Sequence, residues 1–229
     1  KVGGVAGVAV GITVAVLAGL LVGIVNGIIS TYLKVNPLIA TLAMSFIILG
    51  ATKLVSQFGK QGVGQIRVDF PEFRWLATTK PLGISLPTWI ALVVIVILAV
   101  VLWRTTFGRY VYAAGGNAEA ARLAGIRVGG VRIATFALAG LAAGMAGDID
   151  LARTPSVPEN DAIATTLTFT VLAGIVVGGT SILGGEGAVW RTVLGILFIA
   201  MLYNGFTLLR IDPLFQGIAL GAIILVAVG

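Results

Sequence analysis

Apolar residues in this chain come in long unbroken blocks, without the strict alternation of a half-buried strand or the narrow stripe of a surface helix. The blocks cover residues 5–30, 37–57, 87–103, 131–151, 163–182, 189–209 and 214–229. At 1.5 Å per residue, each spans all or much of a hydrocarbon layer about 30 Å thick. The pattern predicts an all-α, polytopic helical membrane protein with about seven spanning or partly spanning helices, in one transmembrane domain over residues 1–229. Within the blocks, small residues recur at helical spacing. Gly19, Gly23 and Gly27 in the first, and Gly140, Gly144 and Gly147 in the fourth, predict faces on which helices approach closely.

The breaks between blocks are informative. Asn36 precedes Pro37 as a helix cap with proline at N1. Residues 58–86 mix Lys60, Arg67, Asp69, Glu72, Arg74 and Lys80 with prolines and glycines, which argues against a further span. Within them, residues 71–76 suit a short interfacial helix with Phe73, Trp75 and Leu76 toward lipid. Trp89 and Trp103 mark the two ends of the next span as interfacial aromatics. Pro155 and Pro158 predict a rigid connection after the fourth block, and Asp148, Asp150, Glu159 and Asp161 make that region acidic. Gly178, Gly179, Thr180 and Ser181, followed by Gly184, Gly185, Glu186 and Gly187, interrupt the apolar pattern. Two geometries satisfy such a cluster, a turn at the inner surface or a discontinuous helix whose freed backbone groups are met by protein or water.

Residues 104–132 separate two blocks and concentrate charge. They hold Arg104, Arg109, Arg122, Arg127 and Arg132 against a single acid, Glu119. The excess of arginine places this interval in the cytoplasm and the 58–86 interval outside. Inside it, Asn117 is an N-cap, Glu119 lies at the positive end of the helix dipole, and Gly125 is the C′ residue of a helix of about two turns. So short a helix is marginal alone, so it must be held by packing.

Composition narrows the function. With 58% hydrophobic and 10% charged residues and a mean hydropathy of +1.08, the chain lies outside the soluble range. The net charge of +6 reads as an orientation signal and not as a nucleic-acid surface. There is no cysteine and no histidine, which removes disulfides, the usual zinc and haem ligands, and Ser-His-Asp or Cys-His catalysis. No G-x-x-x-x-G-K-[ST] loop is present, so the chain by itself binds no nucleotide cofactor. Ionised residues stand at or near the ends of the apolar segments, which gives a gradient-driven transporter no embedded charge to use. The chain reads as a conduit and not as an enzyme.

Glu119-Ala120-Ala121 with Gly125 fits the EAA-x-x-x-G pattern, and the approach to it, Phe107-Gly108-Arg109-Tyr110-Val111-Tyr112-Ala113 into Gly115-Gly116-Asn117, is distinctive. Together with Asn36-Pro37-Leu38-Ile39-Ala40-Thr41-Leu42, Val177-Gly178-Gly179-Thr180-Ser181 and Asn204-Gly205, these motifs resemble the permease subunits of ribose and related monosaccharide importers of the bacterial ABC class. The resemblance implies a multi-pass protein of the inner (plasma) membrane. Gly116, Asn117, Glu119, Ala120, Ala121, Arg122 and Gly125 would form a cytoplasmic coupling helix docked on an ATP-binding subunit, with ATP and magnesium on that partner. Leu123 would add close packing. A second permease copy or paralogue, an extracytoplasmic sugar-binding protein and the lipid bilayer complete the expected partners, with no nucleic acid. Asn26, Thr41, Ser45 and Asn204 are candidates for a path that suits neutral polyols such as ribose, xylose, arabinose or galactose. For Asn26 an interhelical hydrogen bond, and for the two hydroxyls a bond to their own helix, are the alternatives.

Against the family pattern the chain looks short at its start, which implies that the first helices of that pattern are absent from it. It also departs from the pattern at Thr170, where Asp is common, and at Glu186, where Arg or Lys is common. Two other functions fit the same blocks: a permease for branched-chain amino acids, and a passive channel or membrane scaffold without an ATPase.

Overall fold

The computed structural model describes residues 5–58, 65–67, 71–154, 156–158, 161–181 and 184–228. They fall into two compact units, Lys1–Val96 with Arg127–Glu159, and Ile97–Ile126 with Asn160–Gly229. Of the residues named above, Lys60, Asp69, Pro155 and Glu159 lie outside the described residues.

In the first unit α1 (Val5–Tyr32) lies against α7 (Val128–Arg153) along the predicted glycine face. A Cβ on Gly19 would stand 2.4 Å from the Gly140 carbonyl oxygen, one on Gly23 would stand 2.3 Å from that of Phe136, and one on Gly27 would stand 2.9 Å from the Ile133 Cα. Contact positions rise along α1 as they fall along α7, so the helices run antiparallel. Backbone meets backbone, which is how helices associate where lipid removes the hydrophobic drive. Gly147 takes no part, since nothing among the described residues lies within 4 Å of its Cβ direction. Three residues beyond Gly144, it is turned about 60° off the contact line.

The α2 helix (Pro37–Phe58) starts as predicted, with the Leu38 amide donating to Asn36 Oδ1 at 2.9 Å. Residues 58–86 hold no further span among the described residues; they contain the eight-residue α3 (Pro71–Thr78), a short 3₁₀ turn (Pro81–Gly83) and one short strand (Gln65–Arg67). The Pro81 carbonyl accepts from Trp89 Nε1 at 3.3 Å, at the start of α4 (Leu86–Arg104). Two three-residue strands, β1 (Gln65–Arg67) and β2 (Ser156–Pro158), pair antiparallel with Ile66 opposite Val157. Proline spacing gave no sign of that ribbon. Asp148 and Asp150 belong to α7 itself and not to the connection after it.

The second unit contains the end of α4, then α5 (Thr106–Gly116), α6 (Ala118–Leu123), α8 (Asp161–Val177), α9 (Val189–Leu208) and α10 (Pro213–Val228). An antiparallel pair, α8 and α9, meets at Gly174, Gly178 and Gly195, where a Cβ on Gly195 would be 2.1 Å from the Gly174 carbonyl oxygen. Ala173 and Ile199 are the buried centre, with Val177, Leu202, Tyr203 and Ile223 of α10 packed around them.

Five of these helices, α1, α2, α4, α7 and α9, are long and apolar enough to cross a membrane; α8 and α10 are shorter and also apolar. Large apolar side chains such as Leu21, Phe46, Ile47 and Met201 point outward, while many of the buried apolar residues are small, as Ala40, Ala152 and Ala173 are. A water-soluble domain would bury those groups, so the medium around them is hydrocarbon. At the end of α4, Trp103 is exposed with the Arg104 guanidinium 4.4 Å from its ring centroid, a pairing suited to the membrane interface.

Candidate functional site

The short helix α6 is closed at both ends by its own sequence. Asn117 Oδ1 accepts from the amides of Glu119 at 3.1 Å and Ala120 at 2.9 Å. At the other end Gly125 has φ +83, its amide donates to the Arg122 carbonyl at 2.9 Å, and the Ile126 amide donates to the Ala121 carbonyl at 3.0 Å. That pair of bonds is the Schellman ending that a glycine at C′ allows. Glu119 stands in the first turn and Arg122 in the last, each matched to the helix dipole.

The two faces of α6 differ sharply. Ala121 is buried within this chain, so its small side chain seats the helix and is not offered to a partner. Glu119, Ala120, Arg122 and Leu123 face outward, Leu123 at 87% exposure. The outward face of α6 thus carries one large apolar side chain, Leu123, with an acid, Glu119, and a base, Arg122, beside it.

What holds α6 is an element that the sequence reading missed. Residues 106–116 were expected as a lead-in, but they form α5, capped by Thr105, whose Oγ1 accepts from the Gly108 amide at 3.3 Å. Gly108 allows the sharp turn out of α4, since a Cβ there would fall 2.0 Å from the Leu102 carbonyl oxygen. The signal was available in Thr105, but Tyr110, Val111, Tyr112 and three glycines carry low helix propensity.

The glycine cluster rests against the far end of α5. Gly178 closes α8, and Gly179 at φ +71 ends it with the same Schellman bonds, Gly179 to Val176 at 2.8 Å and Thr180 to Ile175 at 3.2 Å. The described residues of 178–188 then form a turn, not a broken helix, leading into α9. Within it the Ser181 amide donates to the Glu186 carbonyl, and the Thr180 and Thr192 hydroxyls meet at 2.9 Å. Gly184 and Gly185, at φ +95 and +79, lie against Gly115 and Gly116, and the Tyr112 hydroxyl donates to the Gly187 carbonyl at 2.9 Å. The Glu186 side chain is exposed. Thr170 turns its hydroxyl back to the Thr166 carbonyl at 2.8 Å.

The four path candidates divide in two. Asn26 is 8% exposed and its Oδ1 has no hydrogen-bond partner among the described residues; Ser30, one turn on, is buried in the same way. Asn204 is exposed on α9. On α2, Thr41 is half-buried and Ser45 exposed, and both spend their hydroxyl hydrogens on their own helix, Thr41 on Pro37 and Leu38 and Ser45 on Leu42. No hydrogen bond joins any of the four to another among the described residues.

Lipid-facing spans and a capped helical knob between two of them define a multi-pass helical membrane protein. The chain belongs to the family described as branched-chain amino acid transport system / permease component, which matches residues 2–228. It is 35% identical over 195 residues to the ribose import permease protein RbsC of Escherichia coli (strain K12), covering 85% of this chain and 60% of that one. RbsC of Bacillus subtilis (strain 168) is 37% identical over 195 residues, 85% of this chain and 59% of the relative. The L-arabinose transport system permease protein AraH of Escherichia coli (strain K12) is 37% identical over 196 residues, 86% and 58%. The chain therefore spans about three fifths of the length of these curated relatives. No solved structure matches it.

Proposed function

We propose that this chain is the transmembrane subunit of an ATP-driven monosaccharide importer in the bacterial inner membrane. The observation that carries this reading is α6, a rigidly capped knob that turns Glu119, Arg122 and Leu123 outward from a basic loop. An ATPase subunit binds there and supplies the ATP and magnesium chemistry; this chain supplies none of it. Nucleotide binding closes the ATPase pair and biases two permease chains, either copies or paralogues, between inward and outward states. A sugar-binding protein delivers solute on the outer face.

The relatives named for ribose and arabinose favour a sugar over a branched-chain amino acid, although the family description carries the latter term. Neutral polyols need hydrogen-bonding groups without charge, and Asn26 and Asn204 fit that need better than Thr41 and Ser45, whose donors are already engaged. The test is co-expression with the ATPase and binding protein encoded beside it. Co-purification of the ATPase, and ATP-dependent uptake of labelled D-ribose or L-arabinose into proteoliposomes, is the expected result. Uptake that proceeds with no ATPase bound would establish the passive-channel reading, and leucine uptake would establish the amino-acid one.

A further inference from the structure

A displacement of α6 needs a route to the spans. Among the described residues, the route visible in the second unit is mostly backbone. Gly115 and Gly116 end α5 immediately before Asn117, and a Cβ on Gly115 would stand 2.5 Å from the Gly185 amide nitrogen. A Cβ on Gly185 would stand 2.5 Å from the Gly116 Cα. The other side of this connection is tied to α9 by the Thr180–Thr192 hydroxyl pair, and α8 and α9 are in backbone contact at Gly178 with Arg191 and Thr192. Among the described residues one side chain bonds across the seat, that of Tyr112, whose hydroxyl holds the Gly187 carbonyl across 75 positions of sequence.

Side chains can absorb a small movement by changing rotamer, whereas close-packed backbone cannot. Direct contact of glycine with glycine therefore passes a sub-ångström shift of α6 to the α8–α9 pair with little loss. We infer that Tyr112 and the Gly115–Gly116/Gly184–Gly185 seat are positioning residues that relay movement of α6 to α8 and α9, so that nucleotide hydrolysis is converted to solute movement. The inference rests on α6 being the ATPase docking surface.

Two measurements separate the inference from that premise. In the assembled transporter, Tyr112→Phe and Gly185→Ala are expected to keep the ATPase subunit bound and hydrolysing. Solute accumulated per ATP should fall about fivefold or more, the lower end of typical coupling between sites. An unchanged ratio in both variants, or a loss that merely follows loss of the ATPase subunit, overturns the relay. The second measurement uses the full chain alone in lipid nanodiscs. There Tyr112→Phe, which removes one hydroxyl and leaves the glycines untouched, is expected to raise amide hydrogen exchange at residues 117–125 together with residues 184–188. A rise confined to residues 184–188 overturns the relay, whether or not an ATPase is ever captured. If exchange rises in both segments while the wild type binds no ATPase, the relay stands and the docking premise falls.

Discussion

The α1–α7 seam and the α5 seat both bring glycine backbone against glycine backbone, but they do so with different geometry. In the seam all the glycines are helical, spaced by four on α1, and they meet an antiparallel row on α7 that runs from Gly144 and Gly140 through Phe136 to Ile133. In the seat a helix end meets a turn whose glycines have positive φ. The seam distributes its contact over several turns and has one way to pack. The seat is a single point, held in place by Tyr112 and by conformations that residues with a Cβ rarely adopt. The first arrangement suits a fixed scaffold and the second suits a joint.

That contrast is broken most severely at the seam. Gly23→Leu drives side-chain volume into the Phe136 backbone and should cost about 3 kcal/mol or abolish folding. It is read as a collapsed yield and a lowered thermal midpoint in detergent. Gly147→Leu is the matched control, expected to change stability by no more than about 0.5 kcal/mol because nothing faces that position. If the two variants behave alike, the seam does not hold the unit together.

Smaller effects belong to the second unit. Gly125→Ala forces a Cβ into φ +83, with open space around it, and should cost about 1–2 kcal/mol locally. Asn117→Ala removes the cap at about 1 kcal/mol. Both should weaken ATPase capture while leaving the thermal midpoint of the spans nearly unchanged, and an equal loss of both would show that α6 is part of the folding core. Thr180→Val removes the hydroxyl bond that ties the 178–188 turn to α9 and should cost about 0.6 kcal/mol. The smallest effect is expected at Asp148, whose Oδ2 is buried without a partner among the described residues, five residues before the α7 terminus. Asp148→Asn should leave ATP-driven uptake within about twofold of wild type, a change small beside the tenfold that 1.36 kcal/mol brings. Abolished uptake would point to a carboxylate that couples a proton.

Legibility in the sequence follows the range of the physics. Hydrophobic blocks and the Gly19-Gly23-Gly27 face are periodic, so both the spans and the seam could be read from one helix at a time. The α6 caps are local as well, each set by residues within one turn. Tyr112 with Gly187, and β1 with β2, join positions far apart without any period, so only the folded chain reveals them. Residues 106–116 form a helix against their own propensity because Thr105 starts it and Gly108 lets it turn under α4. Glycine spacing also over-predicted, as Gly147 shows, because sequence gives the row but not where the partner helix leaves it.

Because the 229 residues contain no cysteine, Leu123→Cys creates a single label site on the outward face of α6. Labelling it with a membrane-impermeant maleimide, in vesicles of each orientation with and without the ATPase subunit, tests the account at its centre. The prediction is reaction in inside-out vesicles only, blocked when the ATPase is assembled. Reaction from the outer face, or labelling indifferent to the ATPase, would contradict it.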